Sequence, residues 1–283
     1  MKIMITGAYG MLGSDLREVL KNFELICTGS KDLDITDEEK VMEFITEKSP
    51  DLVINAAAYT AVDDCETHFD EAYAVNALGP KNLAIACKSI DVPLVHISTD
   101  YVFDGSKRTP LIETDNLGPQ SAYGKTKLEG EKFIQENTDK YFILRTAWLY
   151  GLHGNNFVKT MLDLAETHDE ITVVNDQIGS PTYSLDLAVA ITNLLHSDKY
   201  GIYHVTNEGD YISWYDFTLA IFETAGITHV TVNPVTSVEY GAAAKRPYNS
   251  RLYRSKIREM GFEPLPDWRD ALSRYVKILK EME

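Results

Sequence analysis

The sequence predicts an α/β fold in which residues 1–150 form one doubly wound parallel sheet and residues 151–283 form mainly a smaller C-terminal α/β lobe. Three observations predict it. Short apolar runs alternate with helical patterns from residue 2 to residue 145, as successive βα units do. The first run opens into a glycine-rich turn and then a helix, Gly7-Ala-Tyr-Gly10-Met-Leu-Gly13. Past Gly151 the texture changes to helices separated by short strands. With 44% hydrophobic residues, a chain of 283 has ample material for a packed core in one large or two modest domains.

Residues 2–6 read as a short strand, and Leu12, Leu16, Val19 and Leu20 mark one face of the helix that follows. Strand, glycine turn and helix N-terminus are the setting in which a dinucleotide pyrophosphate is held. Glycine permits the tight turn and the close approach, and the N–H groups at a helix start favour an anion. The spacing is GxxGxxG, a variant of the commoner GxGxxG. Gly7, Gly10, Met11, Leu12 and Gly13 are therefore candidate cofactor contacts. The second strand, residues 24–28, ends in Thr28-Gly-Ser-Lys31, where an NAD-preferring site often sets an acid against the ribose 2′-hydroxyl. No acid stands at the tip. Asp32 and Asp34 follow late, while Ser30 and Lys31 can receive a 2′-phosphate, so the choice between NADH and NADPH stays open. Ser30, Asp34 and Ile35 join the candidate contacts. Thr36 and Glu39 stand at capping-box spacing before Val41, Phe44 and Ile45, which predicts a helix start there.

Residues 51–55 are a third buried strand that opens into Ala56-Ala-Ala-Tyr59-Thr60. Three small side chains at a strand's carboxyl end let a flat cofactor lie close to the backbone. A helical stretch over about residues 69–90 contains Asn76, an indifferent residue for a helix interior, which either faces solvent or holds a water or a bend. The fourth strand, residues 94–100, ends in the hydroxyls of Ser98 and Thr99. Carboxyl ends of parallel strands face the ligand crevice, where hydroxyls can hydrogen-bond a substrate carbonyl. Tyr123 and Lys127 stand four apart at the start of the next helix and so share one face. A free phenol, with a pKa of about 10, is a poor acid at neutral pH, and a lysine charge nearby makes its proton easier to give. The fifth strand, residues 141–145, leads into Thr146-Ala-Trp148. Beyond it, helices near 157–166, 185–196 and 213–225 alternate with strands at 171–174, 202–205 and 230–232. Some of these should extend the main sheet, the rest should build the lobe, and the helix near 268–279 reads as packing.

The formal charge of −16 argues against a nucleic-acid groove, which depends on concentrated Lys and Arg. It also means that an anionic ligand has to be held by a few placed cations. Lys159, on the helix opened by Asn155-Asn156-Phe157, and Arg246, in a loop that Pro247 keeps from becoming a helix, are the candidates. Cys27, Cys65 and Cys87 are odd in number and widely spaced, which argues against a disulfide framework and against a zinc site; no metal ligand is singled out, and the question of another bound metal stays open. No apolar run approaches the roughly 20 residues of a membrane span, and residues 1–7 run straight into a strand without signal-peptide architecture. A cytoplasmic protein with no membrane partner is expected.

Gly7/Gly10/Gly13, the run from Asn55 to Ala58, Val75-Asn76-Ala-Leu-Gly79, Ser98-Thr99-Asp100 and the pair Tyr123/Lys127 stand in the order and spacing of the extended short-chain dehydrogenase/reductases, which the chain resembles. More narrowly it resembles the dTDP-4-dehydrorhamnose reductase family, over nearly its whole length. That likeness rests on Asn55-Ala-Ala-Ala-Tyr-Thr-Ala-Val-Asp63, Ser98-Thr-Asp-Tyr-Val-Phe-Asp-Gly105, Tyr123-Gly-Lys-Thr-Lys127, Arg145-Thr-Ala-Trp148, Gly154-Asn-Asn-Phe157, Asn175-Asp-Gln-Ile-Gly-Ser-Pro181 and Arg246-Pro-Tyr-Asn249. The resemblance implies a Rossmann-type sheet and reduction of the C4 ketone of a dTDP-4-dehydro-6-deoxy sugar by NADH or NADPH. It implies that Tyr123 gives the proton, with Lys127 and Thr99 as catalytic partners. It adds Ala56, Ala57, Ala58, Tyr59, Thr60, Asn76 and Ser98 to the cofactor contacts, together with Tyr123 and Lys127 themselves. Substrate contacts are implied at Thr99, Asp100, Val102, Trp148, Asn156, Lys159 and Arg246; Trp148 either lies against the sugar or is an ordinary buried tryptophan. The implied partner is a small-molecule nucleotide sugar, and a homodimer is among the assemblies left open. Two rivals use the same scaffold: another nucleotide-sugar reductase, epimerase or dehydratase, and a regulatory nucleotide-binding subunit resembling the beta subunit of methionine adenosyltransferase. A dehydratase needs a further acid and base beside the sugar, and Thr99-Asp100 does not supply the adjacent carboxylate pair. The intact tyrosine, lysine and hydroxyl favour chemistry over binding alone.

Overall fold

In the computed structural model, which describes residues 1–282, the chain begins with strand β1 (Lys2–Thr6), helix α1 (Met11–Val19), strand β2 (Glu24–Thr28), helix α2 (Glu38–Lys48) and strand β3 (Leu52–Asn55). The next helical stretch comes in three pieces: α3 (Phe69–Tyr73), a π-helical turn (Ala74–Leu78) and α4 (Gly79–Ser89). Then follow β4 (Leu94–Thr99), α5 (Ala122–Asn137), β5 (Tyr141–Thr146) and β6 (Leu149–Tyr150). The later chain contains α6 (Phe157–Thr167), β7 (Glu170–Val174), β8 (Ile178–Gly179), β9 (Thr182–Tyr183), α7 (Ser184–Thr192), β10 (Gly201–His204) and β11 (Ile212–Ser213). It ends with α8 (Trp214–Ala225), β12 (Thr231–Val235), α9 (Ser237–Tyr240), β13 (Asn249–Ser250), α10 (Ser255–Glu259) and α11 (Trp268–Met282).

Six strands make one sheet in the order β10-β5-β4-β3-β1-β2, and every neighbouring pair is parallel. Alternate residues feed two cores. Ile3 and Ile5 pack with Leu12 and Leu16 of α1 and Leu187 and Ile191 of α7, whereas Met4 packs with Val41 and Ile45 of α2 and Leu83 and Cys87 of α4. Helices on both faces explain why these strands read as unbroken apolar runs rather than as alternation. Each such Leu or Ile, fully buried, contributes about 1.5–3 kcal/mol. Because β1 lies between β2 and β3, the chain winds outward on one side and returns on the other. The crevice of such a sheet opens at that reversal, beyond the carboxyl ends of β1 and β3. The Gly7 turn and the Ala56 run both emerge there.

Past β5, α7 and β10 rejoin the main body, as part of this region was expected to do: α7 packs on α1, and β10 pairs with β5. The remaining elements surround a separate core that includes Tyr150, Val158, Phe217, Ile221, Trp268 and Tyr275. Three small sheets, β11-β8-β13, β12-β7 and β6-β9, knit it together. Boundaries move by a few residues from expectation; the fourth strand stops at Thr99, and a 3-10 turn, Asp100–Val102, follows. The cap of α2 falls one residue later than expected. Asp37 accepts the Lys40 N–H at 3.1 Å, while the Thr36 hydroxyl donates to Asp34 at 2.8 Å. No helix among the described residues is long and apolar enough to cross a membrane.

Candidate active site

Gly7 leaves β1 with φ +66°, and a Cβ there would stand 2.6 Å from the Ala57 nitrogen. A Cβ on Gly13 would stand 2.1 Å from the Gly7 carbonyl oxygen. Only hydrogen fits at both places, so α1 presses directly on the turn. The first turn of α1 has no side-chain cap and no acidic residue, which leaves its N–H groups for an anion. A groove of about 730 Å³ opens beside it, walled by Gly7, Gly10, Ser30, Asp34, Ile35 and Tyr59, with Lys31 at its rim. It adjoins a second cavity of about 450 Å³, and Gly10, Ala56, Ala57 and Ala58 line both. Met11, Leu12 and Thr60 line the second. Asp32 accepts the Gly29 N–H at 2.8 Å, and Asp34 accepts the Thr36 N–H at 3.0 Å, so both carboxylates are engaged within their own loop. A larger open groove, about 960 Å³, runs along α2 and shares no residue with these two; Asp37, Glu38, Glu39, Glu43 and Glu47 make it hostile to an anionic ligand.

Asn76 does not touch either cavity. It is fully buried in the π-helical turn, where it accepts the Tyr59 N–H at 2.8 Å and donates to the Tyr59 carbonyl at 3.0 Å and to the Thr126 hydroxyl at 3.2 Å. Of the readings open for this asparagine, solvent, a water or a bend, the bend is the one present, and its bonds fix the wall that Tyr59 continues.

The second cavity gathers Thr99 and Asp100 from the end of β4, Tyr123 and Lys127 from α5, and Thr146 and Trp148 from the end of β5. Ser121 caps α5 by accepting the Gly124 N–H at 3.1 Å, which sets Tyr123 in the first turn. Tyr101 meets Tyr123 edge-on, with ring centroids 5.4 Å apart. Asp100 is wholly enclosed, and burial pushes its carboxyl up to about 6. One of its oxygens takes the Thr99 hydroxyl at 3.1 Å. The nearby Ser250 and Thr99 hydroxyls offset that rise in part, and among the described residues the other carboxyl oxygen and the Thr146 hydroxyl have no hydrogen-bond partner. Burial, and after it the Asp100 charge, raises the Tyr123 phenol above its ordinary value, with the Thr99 hydroxyl pulling the other way. Burial lowers Lys127 to about 8, offset in part by Glu131. Lys127 Nζ donates to the Ile97 carbonyl at 2.6 Å.

Several of the expected contacts have their side chains engaged within the protein. Ser98 lines the second cavity, as expected, but its hydroxyl is committed to Glu131 Oε1, to which it donates at 2.5 Å. Val102 is buried with Phe103, Leu111 and Leu252, since the 3-10 turn aims it into that core. Asn156 spends its side chain capping α6: it accepts the Lys159 N–H at 3.2 Å and donates to the Gly151 carbonyl at 2.8 Å, while Asn155 lines the cavity instead. The Lys159 ammonium donates to the carbonyls of Leu152 at 2.6 Å and Gly154 at 3.3 Å. Arg246 is not a bare cation either. It grips both oxygens of Asp63, at 2.6 and 3.1 Å, and this hydrogen bonding holds Asp63 below the usual carboxylate range. With Lys245, Gln177 and Tyr248 it lines a small pocket of about 190 Å³.

Trp148 adopts φ +51° and stacks on Trp214 with centroids 3.6 Å apart. Trp214, Tyr101, Asn155 and Thr146 belong to the cavity wall and were not foreseen. Thr146 was findable: it ends β5 beside Thr99, just as Thr99 ends β4. Trp214 arrives from α8 by tertiary packing, and no local pattern announces it.

The family described as RmlD substrate binding domain matches residues 1–281. A dTDP-4-dehydrorhamnose reductase of Aggregatibacter actinomycetemcomitans is 43% identical over 286 residues, covering 96% of this chain and 97% of its own. A dTDP-4-dehydrorhamnose reductase from Clostridium acetobutylicum, known as a crystal structure, superposes with a TM-score of 0.96 at 49% identity, over 99% of this chain and 100% of its own. The crystal structure of the Bacillus anthracis dTDP-4-dehydrorhamnose reductase, in complex with NADP, gives 0.93 at 45% identity, over 97% of this chain and 98% of its own. A doubly wound sheet, a glycine turn that excludes any Cβ, and full-length similarity of this degree make the chain a member of the RmlD substrate-binding-domain family, alongside relatives named dTDP-4-dehydrorhamnose reductase.

Proposed function

We propose that this protein is an NAD(P)H-dependent reductase that converts the C4 ketone of dTDP-4-dehydro-6-deoxy-L-mannose into the alcohol of dTDP-L-rhamnose. The observation that carries this reading is the convergence of Thr99, Tyr123 and Lys127 in a cavity that shares the wall of Ala56, Ala57 and Ala58 with the groove beyond β1 and β2. The residues present fit a dinucleotide: the turn leaves no room for side chains, the start of α1 is uncapped, and Ser30 and Lys31 border the groove. Bound there, the nicotinamide supplies hydride to C4. Tyr123 gives its Oη proton to the ketone oxygen, and the Thr99 hydroxyl holds that oxygen beside the phenol. Lys127, as an ammonium, stabilises the phenolate that remains. The open oxygens of Asp100 and Thr146 suit sugar hydroxyls, and Trp148 with Trp214 offers an apolar face to the ring.

In this reading residues 1–150 hold the cofactor, residues 151–283 mainly hold the substrate, and Arg246 exchanges the Asp63 carboxylate for the substrate diphosphate. The working assembly is a homodimer in the cytoplasm. Supplying the product that a 4,6-dehydratase and an epimerase make from dTDP-glucose, and following the absorbance of NADH and NADPH, tests the reading directly. Cofactor oxidation matched by dTDP-L-rhamnose is the expected result, with the two cofactors within about 100-fold in kcat/KM because Asp32 and Asp34 each accept a bond within their own loop while Ser30 and Lys31 border the groove. Oxidation of neither cofactor overturns it.

A further inference from the structure

A line of buried polar groups runs beneath the cavity from its alanine wall to Lys127. Its members are the Ala57 amide, Asn55 at the end of β3, His96 in β4 and Lys127 on α5, and the last three side chains are almost completely buried. The direction of every hydrogen bond follows from the first. A backbone N–H can only donate, and that of Ala57 donates to Asn55 Oδ1 at 3.1 Å, which also accepts the Thr6 hydroxyl at 2.7 Å. Asn55 Nδ2 lies 3.0 Å from His96 Nδ1. The amide nitrogen is therefore the donor and Nδ1 the acceptor. A neutral imidazole that accepts at Nδ1 carries its hydrogen on Nε2, and Nε2 lies 3.2 Å from Lys127 Nζ.

An ammonium has no lone pair to receive that hydrogen. A neutral amine has one, and still gives a hydrogen to the Ile97 carbonyl at 2.6 Å. Reversing Asn55 would set its NH₂ against the Ala57 N–H, and protonating His96 at Nδ1 would set two donors against each other at 3.0 Å. Either change leaves buried donors unpaired.

We propose that His96, held in one tautomer by Asn55 and the Ala57 amide, is a positioning residue that turns an N–H donor onto Lys127 and so favours its neutral amine over its ammonium. The inference rests on the reductase reading above only for its catalytic consequence. Burial acts in the same sense on both side chains, holding His96 far below its ordinary value and Lys127 near 8. The other groups facing this lysine do not replace His96. Glu131, one turn along α5, favours the charge but is engaged by Arg145 of β5 and Ser98 of β4. Tyr123, one turn earlier, is itself governed by burial and by Asp100 from the end of β4, with Cys65 a lesser neighbour. Reduction needs the ammonium, so kcat/KM should fall as pH rises through the Lys127 value. His96 sets where that fall occurs.

Nuclear magnetic resonance of the full chain with ¹⁵N-labelled histidine tests the tautomer without any substrate. The expected spectrum has the His96 hydrogen on Nε2, an acceptor signature at Nδ1, and no titration between about pH 6 and 9. A hydrogen on Nδ1, or a ring that titrates in this range, overturns the proposal whatever the protein catalyses. The second measurement is the basic limb of kcat/KM for wild type, His96→Gln, which keeps an amide donor toward Lys127, and His96→Leu, which removes it. The limb should stay near 8 in the first two and move up by about one pH unit in His96→Leu, a tenfold change in the proton affinity of Lys127. An unmoved limb in a folded His96→Leu protein that binds cofactor normally also overturns it. Absence of wild-type turnover sinks the reductase reading instead and leaves the tautomer to decide this one.

Discussion

Ser98 and Thr99 are consecutive residues of one strand, yet their hydroxyls enter two different kinds of interior. Behind β4, Ser98 meets Glu131, and Glu131 holds Arg145 through bonds of 2.9 and 2.6 Å; a third guanidinium bond, 3.1 Å, goes to the Glu113 carbonyl. Both charges are paired although they are 1% and 0% exposed. In front of β4, Thr99 stands beside Thr146, and Asp100 is just as deeply buried, but an oxygen of Asp100 and the Thr146 hydroxyl have no partner. Burial alone does not separate framework from site. Across β4 the difference is saturation: behind the strand a completed buried network fixes one conformation, whereas in front of it an open oxygen and hydroxyl face the cavity, where a bound molecule can complete them.

The largest way to break the comparison is on the open side. Tyr123→Phe should cut turnover by about 10² to 10⁴ through loss of the proton donor, while the urea unfolding midpoint stays where it was. Wild-type turnover would take Tyr123 out of the chemistry. On the saturated side, Glu131→Ala strands a buried guanidinium and should cost about 3–5 kcal/mol of unfolding free energy. A loss below about 1 kcal/mol would mean that water reaches Arg145 and that the two regions are not distinct in kind.

Asp100→Asn sharpens the contrast through pH. The folded carboxyl, at about 6, lies above its ordinary 3.8, so the folded state binds this proton more tightly than the unfolded chain does. Its cost is absent below the ordinary value and grows as pH rises through about 6. Asp100→Asn should therefore stabilise the protein by about 1–3 kcal/mol at neutral pH, with the gain fading in acid and turnover reduced. Thermal unfolding at the two pH values checks this, and a gain independent of pH would break the linkage. The smallest effects are the most discriminating. Ser98→Ala should lower stability by about 1 kcal/mol and leave kcat alone, whereas Thr99→Val should lower kcat and leave stability nearly unchanged. An exchange of the two outcomes would reverse the assignment of the two sides of β4.

What could be read from the sequence was whatever period and position determine. The glycine turn, the alanine run and the order Thr99, Tyr123, Lys127 follow from strands that must end at one edge of a parallel sheet. What could not be read was how each polar side chain spends its hydrogen bonds. Asn155 and Asn156 are identical neighbours, and only the true start of α6 decides that the second caps while the first lines the cavity. Asp37 rather than Thr36 caps α2, and the Thr36 hydroxyl donates to Asp34 instead. Arg246 looked like an unclaimed cation because its partner, Asp63, lies 183 positions earlier. Trp214 was hidden for the same reason, being brought to Trp148 by the packing of a separate core.

The wide turn between α3 and α4 has a consequence for how this segment tolerates change. One extra residue in a helical turn rotates everything beyond it by about 100°. The side chains of α3 and those of α4 thus follow two different phases, and Asn76 faces inward because it sits at the join. Removing any one residue from Ala74–Leu78 would merge the two into a single phase. Either Asn76 would swing off Tyr59, or Leu83, Ala84 and Cys87 would rotate off the sheet. The segment behaves as a spacer: its length is held more strictly than the identity of most residues within it.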